Sequence, residues 1–311
     1  MSNGQNLIGV NVSSKEPGLE DKVRKLIGMG VSWFQLYIEP DTPTSHIQFL
    51  KRYPINIIVH VAHEYHGFNF ASGVTKLNKR LIDETVSAAD GLDAKFIVLH
   101  PSYLTQEQWN CGLEEDLHIS KTFDGLVDYI ARQAGKKNKV VLAENMPKWD
   151  KQRQYLFHHP VDSFYGEMER AGFGFCLDLA SVAVTTNSYP YFVFNPPPER
   201  FNNEIYAREM LSGDGLGNGR LAAEHALERE LRHRIAVEEF MHLNPQLVHV
   251  RGVGHWDFVR LPKEMTDLNE LQLRIAIPYC KSHGVPMIIE GPKHQQASDV
   301  AYIKKQFKRF S

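Results

Sequence analysis

Six residues of metal-ligating type stand at or near the downstream ends of short apolar runs in this chain. His60 closes INIIVH, His100 closes KFIVLH, Glu144 closes KVVLAE and Asp178 closes GFGFCLD, while His249 sits in QLVHVRG and Glu290 closes PMIIE. Runs that are apolar at nearly every position read as parallel strands buried on both faces. A charge at the end of such a strand is costly to bury unless a partner or a cation compensates it. A single histidine there is ordinarily a satisfied structural group. Three imidazoles and three carboxylates at equivalent positions instead predict a shared divalent cation. A purely structural polar ring is the alternative. Imidazole and carboxylate donors without thiolate suit Zn, Mn or Fe and do not separate them; one or two divalent ions are expected, with Zn as the leading expectation.

The elements that must position these residues follow from their spacing. Residues 60, 100, 144, 178, 249 and 290 are 40, 44, 34, 71 and 41 positions apart. Two further runs, LIGVNV (7–12) and SWFQLYI (32–38), precede them, making eight strand candidates. Amphipathic segments alternate with the runs. In 17–30 Leu19, Val23, Leu26 and Ile27 share a face, and in 119–135 Phe123, Leu126, Val127 and Ile130 do the same before Gly135. Further helices are expected at 43–52, 75–90, 163–171, 266–283 and 297–309. Eightfold strand–helix alternation predicts an α/β chain folded as a (β/α)8 TIM barrel, whose chemistry gathers at the C-terminal ends of the strands. An open doubly wound sheet is the rival, but no GxGxxG follows the first strand and there is no phosphate loop.

The long interval between 178 and 249 predicts an insertion between strands 6 and 7, at 183–245, within one domain spanning 1–311. It holds SYPYFVFNPPPERFNN (188–203), the glycine-rich GDGLGNG (213–219) and a charged helix at about 220–243. A lid over the barrel mouth or a contact in a homo-oligomer is the functional expectation. A surface loop without a role is the bland one.

The series VHVAHEY, VLHPS, LAENMP, CLDLAS, VHVRGV and IIEGP resembles the endonuclease IV and xylose-isomerase-like TIM-barrel superfamily, which includes family 2 abasic-site endonucleases and sugar phosphate isomerases and epimerases. The resemblance spans nearly all of the chain outside the insertion, and it lies in the order and spacing of short motifs. It implies that His60 and His100 hold one ion and Asp178 and His249 a second, with Glu144 and Glu290 between them and able to bridge. Two ions so held activate water and clamp the attacking and leaving oxygens of a phosphoester. The chain also departs from the endonucleases. Ser181 stands where they place a further His, and their Asp-x-His pair is met only by the reversed His255-Trp256-Asp257. His255 and Asp257 are therefore expected to orient ligands or bind substrate rather than hold a third ion, or simply to pair with each other on a surface loop.

Other candidates are weaker. Tyr65 and Tyr103, just past the third and fourth strands, could stack on a base or sugar. Arg251, two residues after His249 and on the same side of its strand, could neutralise a phosphate or pair with a neighbouring strand. His63 and His66 read as solvated loop histidines.

Composition narrows the partners. Lys and Arg number 35 against 37 Asp and Glu, for a net charge of −2, which argues against gripping nucleic acid through a basic face. Cys111, Cys176 and Cys280 are odd in number and far apart, matching neither a disulfide framework nor a close-spaced zinc–thiolate pattern. With no signal peptide and no apolar run long enough to span a bilayer, a cytoplasmic protein without membrane contact is expected. The leading functional expectation is a divalent-metal-dependent phosphoester hydrolase, because paired imidazoles at 60 and 100 are needed only where a second ion is held. The alternative is a metal-dependent sugar isomerase or epimerase in which Glu144 and Glu290 move protons on opposite faces of an enediolate. A barrel without catalysis is a third reading. A small phosphorylated or sugar substrate is expected over duplex DNA.

Overall fold

All eight apolar runs form strands, each within two residues of the expected bounds. They are β1 (Ile8–Ser13), β2 (Trp33–Tyr37), β3 (Asn56–His60), β4 (Phe96–Leu99), β5 (Val140–Glu144), β6 (Gly174–Asp178), β7 (Leu247–Val250) and β8 (Met287–Ile289). Every neighbouring pair is parallel, and the sheet closes in sequence order, with β8 returning to β1 through Ile8–Met287, Gly9–Ile288 and Val10–Ile289. The fold is a (β/α)8 barrel. The computed structural model describes residues 6–62, 66–69, 72–101, 103–105, 116–147, 149–150, 153–155, 163–192, 219–253 and 264–310.

Side chains on a strand alternate between faces, so residues two apart share one. Trp33, Ile58, Phe96, Val98, Leu142, Cys176, Leu247 and Ile288 pack together as one buried cluster inside the barrel. Two residues further along each strand stand Gln35, His60, His100, Glu144, Asp178, His249 and Glu290. The apolar layer therefore carries a polar layer directly above it, and β1 completes the series with Gly9 below and Asn11 above. The larger cluster, with Val10, Phe34, Leu36, Val59, Ile97 and Leu177 among its members, joins the outer strand faces to the helices.

The described helices are α1 (Leu19–Gly28), α2 (Lys76–Gly91), α3 (Asp116–Gly135), α4 (Ser163–Arg170), α5 (Leu179–Phe192), α6 (Gly219–Met241), α7 (Asp267–His283) and α8 (Gln296–Arg309). The segment 43–52 differs from expectation, forming two 3₁₀ turns at Thr44–His46 and Gln48–Arg52. Pro43 and Pro54 bracket it, and its fully buried anchors Ile47 and Leu50 are three residues apart, the repeat that a 3₁₀ turn stacks. Helix α5 was not anticipated, and it carries the start of the aromatic, proline-bearing stretch as far as Phe192. Three short strands were not anticipated either. Tyr103–Thr105, after β4, pairs antiparallel with Arg153–Tyr155, which pairs with Trp149–Asp150, both after β5. Among the described residues no helix is long and apolar enough to cross a membrane.

Gly9 is required by this packing. A Cβ there would lie 2.3 Å from Ile288 Cδ1 and 2.7 Å from Trp33 Cβ. Gly9→Ala is therefore expected to cost roughly 1–3 kcal/mol through overpacking, read as a lower urea midpoint. Gly28→Ala, with open space around its Cβ, should leave stability unchanged or raise it by up to about 1 kcal/mol.

A second prediction concerns α8. Asp299 in its first turn is buried, with Oδ2 unpaired and close against Gly291. Burial, reinforced by the charge of Glu264, pushes its carboxyl up to about 6. The unfolded chain releases that proton near pH 3.9, so the folded state holds it longer and stability falls as pH rises from about 4 to about 6. Asp299→Asn should raise the thermal midpoint at pH 7.5, with the gain closing by about pH 4.

Candidate metal centre

The polar layer converges on one carboxylate. Glu144 Oε2 lies 3.4 Å from His60 Nε2, 3.5 Å from His100 Nε2 and 3.3 Å from His249 Nδ1, and the last nitrogen is also 3.3 Å from Glu290 Oε1. Among the described residues, three sets bring their ligand-type atoms within 4.8 Å of one another: His60, His100 and Glu144; Glu144, Asp178 and Glu290; and Glu144, Cys176 and His249. Glu144 belongs to all three. The structure thus brings together all six sequence-derived ligand candidates.

Each ligand is oriented by its neighbours. His60 Nδ1 is 2.7 Å from the Val61 carbonyl. That oxygen can only accept, so Nδ1 carries the hydrogen and Nε2 faces Glu144. His249 Nε2 is 2.7 Å from Gln35 Oε1, and Gln35 Nε2 donates to Glu290 Oε1 at 2.9 Å. Asp178 acts as the N-cap of α5, with Oδ1 accepting from Ala180 N at 2.8 Å and Oδ2 from the Ser181 hydroxyl at 2.7 Å. The Asn145 side chain grips the Asp178 backbone at both its N–H (2.7 Å) and its carbonyl (3.1 Å).

Burial alone would raise the Glu144 carboxyl, but the charges of His249 and His100 hold it well below the usual carboxylate range. Burial alone would lower His249, yet the neighbouring Cys176, Glu290 and Glu144 hold it well above the usual histidine range. Imidazole nitrogens facing carboxylate oxygens at this range repel unless a proton or a cation lies between them. Among the described residues, the buried His249 Nδ1 has no hydrogen-bond partner. This donor set fits a divalent cation.

No protein-family model matches the chain, and no curated protein does. Solved structures do match. A D-tagatose 3-epimerase-like protein superposes with a TM-score of 0.65 at 17% identity, covering 97% of each chain. The TTHB071 protein from Thermus thermophilus, soaked with ZnCl2, gives 0.61 at 16%, covering 97% of this chain and 98% of that one. Endonuclease IV from the same organism gives 0.53 at 14%, with the same coverage. The chain has the xylose-isomerase-like barrel fold.

Within that fold, Ser181 does not stand in for a further ligand but orients the Asp178 carboxylate. Gln35 was missed in the sequence, although a glutamine inside the otherwise apolar WFQLY was a visible signal. Cys176 was weighed only by its spacing from the other cysteines and was not placed at the site. Its position two residues before Asp178 puts it on the inner face, against Glu144 and His249. Burial pushes its thiol up to about 12. Tyr37, at the end of β2, places its ring 6.0 Å from that of His60 and 6.1 Å from that of exposed His66.

The expected substrate residues are less fully placed. Arg251 follows β7, half-buried, and its carbonyl accepts from Asn269 Nδ2 at 2.8 Å. Tyr103 lies in the short strand after β4, paired with Tyr155; the position of its side chain lies outside the described residues. Tyr65, His63, His255 and Asp257 lie outside the described residues altogether. Because Ser181 holds the Asp178 oxygen, Ser181→Ala should weaken zinc binding on the order of tenfold, measured by competition with a chromophoric chelator.

Proposed function

We propose that the chain is a divalent-metal-dependent enzyme that hydrolyses a phosphoester in a small substrate, with two ions held at the C-terminal mouth of the barrel. The observation that carries this reading is the place of Glu144. It is fully buried, it is shared by every ligand set, and His60 and His100 both aim at the same oxygen that His249 faces. A carboxylate facing two clusters is what a bridging ligand requires. It is poorly placed to carry protons to and from a sugar.

In this reading His60 and His100 hold one ion with Glu144, and Asp178, His249 and Glu290 hold the other. Zinc is the ion proposed, and Mn and Fe are also compatible with these donors. Such ions, when bound, would supply a more acidic water and would offset charge developing on phosphoester oxygens. Glu290, whose side chain is 15% exposed against 0% for Glu144, is the carboxylate within reach of the mouth and takes the proton from the attacking water. Arg251, His255, Asp257, Tyr65 and Tyr103 are assigned to substrate. The near-neutral charge supports a small phosphorylated substrate over a duplex. The free, buried Cys176 and Cys280 support a reducing, cytoplasmic setting. Leu231 and Ile235, one turn apart on α6 and 55% and 45% exposed, support the insertion at 183–245 as a lid or homo-oligomer contact.

The second reading is a sugar isomerase or epimerase. Glu144, Asp178, His249 and Glu290 form a complete set for a single ion, and the barrels that superpose on this chain include sugar epimerases, a D-psicose 3-epimerase among them. Metal content separates the two readings. Protein purified without added metal or chelator should carry about two ions per chain by elemental mass spectrometry, as a two-metal site demands. His60→Ala or His100→Ala should lose one of them, and hydrolysis of a chromogenic phosphodiester should fall at least hundredfold. One ion per chain, retained in both variants and lost in Glu144→Gln, overturns the hydrolase and directs assays to ketoses and aldoses.

A further inference from the structure

Gln35 is an amide buried to 2% exposure on the inner face of β2, between His249 and Glu290. Its two ends make different demands. An ionised carboxylate only accepts hydrogen bonds, so the atom 2.9 Å from Glu290 Oε1 must be the amide nitrogen. The atom 2.7 Å from His249 Nε2 is then the amide oxygen, which also only accepts. His249 Nε2 must therefore carry a hydrogen. Reversing the amide would set its oxygen against a carboxylate oxygen at 2.9 Å and would need an extra proton on Glu290. The direction of the whole relay is thus imposed by Glu290.

We propose that Gln35 is a positioning residue that fixes His249 in its Nε2–H tautomer and so makes Nδ1 the ligating nitrogen. Nδ1 is the atom that faces Glu144 and Glu290 at 3.3 Å and, among the described residues, has no hydrogen-bond partner. Left to itself, a neutral imidazole divides between two tautomers, and the other one points an N–H into the centre, where it blocks a cation. The Gln35 amide removes that choice and pins Glu290 Oε1 with the same group. Donating to the carboxylate also pushes electron density onto the amide oxygen, which makes that oxygen a stronger acceptor and His249 Nδ1 a better donor to a cation. His60 has its counterpart in the Val61 carbonyl. The functional consequence rests on the two-ion reading above, whereas the tautomer assignment does not.

The test uses full-length chain labelled with ¹⁵N-histidine, stripped of metal and raised in pH until His249, which its neighbours hold protonated well above the usual histidine range, has lost its second proton while circular dichroism shows the chain still folded. Long-range ¹H–¹⁵N correlation reads the tautomer, and the His249 signals are assigned by their loss in His249→Gln. Wild type should show Nε2–H. Gln35→Leu should shift His249 toward Nδ1–H or a mixture and weaken zinc binding roughly 10- to 100-fold in chelator competition. Gln35→Met keeps the length and volume of the side chain but neither hydrogen bond, so it should shift the tautomer and the affinity in the same direction and provides the check should the leucine variant fold poorly. An Nδ1–H tautomer in the wild type, or a Gln35→Leu protein with unchanged tautomer and affinity, overturns the proposal. A wild-type chain that binds no zinc overturns the metal reading instead, and the tautomer measured in metal-free protein still decides the role of Gln35.

Discussion

One carboxylate buried at the meeting point of three imidazoles sets the terms for the rest of this structure. Glu144 is fully buried and its carboxyl is held well below the usual carboxylate range, so the groups within reach must supply positive charge or hydrogen bonds. His60, His100 and His249 arrive from β3, β4 and β7, which no single segment of chain could bring together. Closing the barrel is what makes the encounter possible. The β7–β8 register that sets His249 beside Ile288, and the β6–β7 register that sets it beside Asp178, fix the height of the imidazole. A one-residue slip in either strand would turn a ligand outward.

The layer below is the physical support for that arrangement. The cluster of Trp33, Ile58, Phe96, Val98, Leu142, Cys176, Leu247 and Ile288 fills the barrel at the level where water would otherwise reach the ligands from beneath. Trp33 can occupy that level because Gly9 has no side chain. Polar groups around the centre are held in turn by others, as Asn145 grips the Asp178 backbone and Asn269 holds both the Arg251 carbonyl and the Val253 N–H. Ligand geometry is in this way inherited from packing two residues away.

The strands and the six ligand positions were legible in sequence because both depend on a strong local pattern: apolar runs of strand length, each closed by a polar residue of one chemical kind. Gln35 escaped because an amide inside a strand carries no charge to demand explanation. Its meaning depends on Glu290, 255 positions away. Cys176 escaped because cysteines were weighed by their spacing from one another, whereas its neighbours in space are Glu144 and His249. The 3₁₀ turns at 44–52 carry an apolar spacing that also suits an α-helix, and only the bracketing prolines speak for the shorter form. The small sheet after β4 and β5 is built from segments of two or three residues, too short for any periodicity to register.

That small sheet has a consequence for how the molecule can vary. In barrels of this kind each loop above a strand can ordinarily be exchanged without regard to the next, which is how one scaffold comes to host many chemistries. Here the segment after β4 is hydrogen-bonded through its backbone to the segment after β5, with Tyr103, Leu104 and Thr105 opposite Tyr155, Gln154 and Arg153. An insertion or deletion in one would leave unpaired strand groups on the other. The two loops therefore form a single unit of inheritance, and grafting a new specificity onto this rim means transplanting both at once.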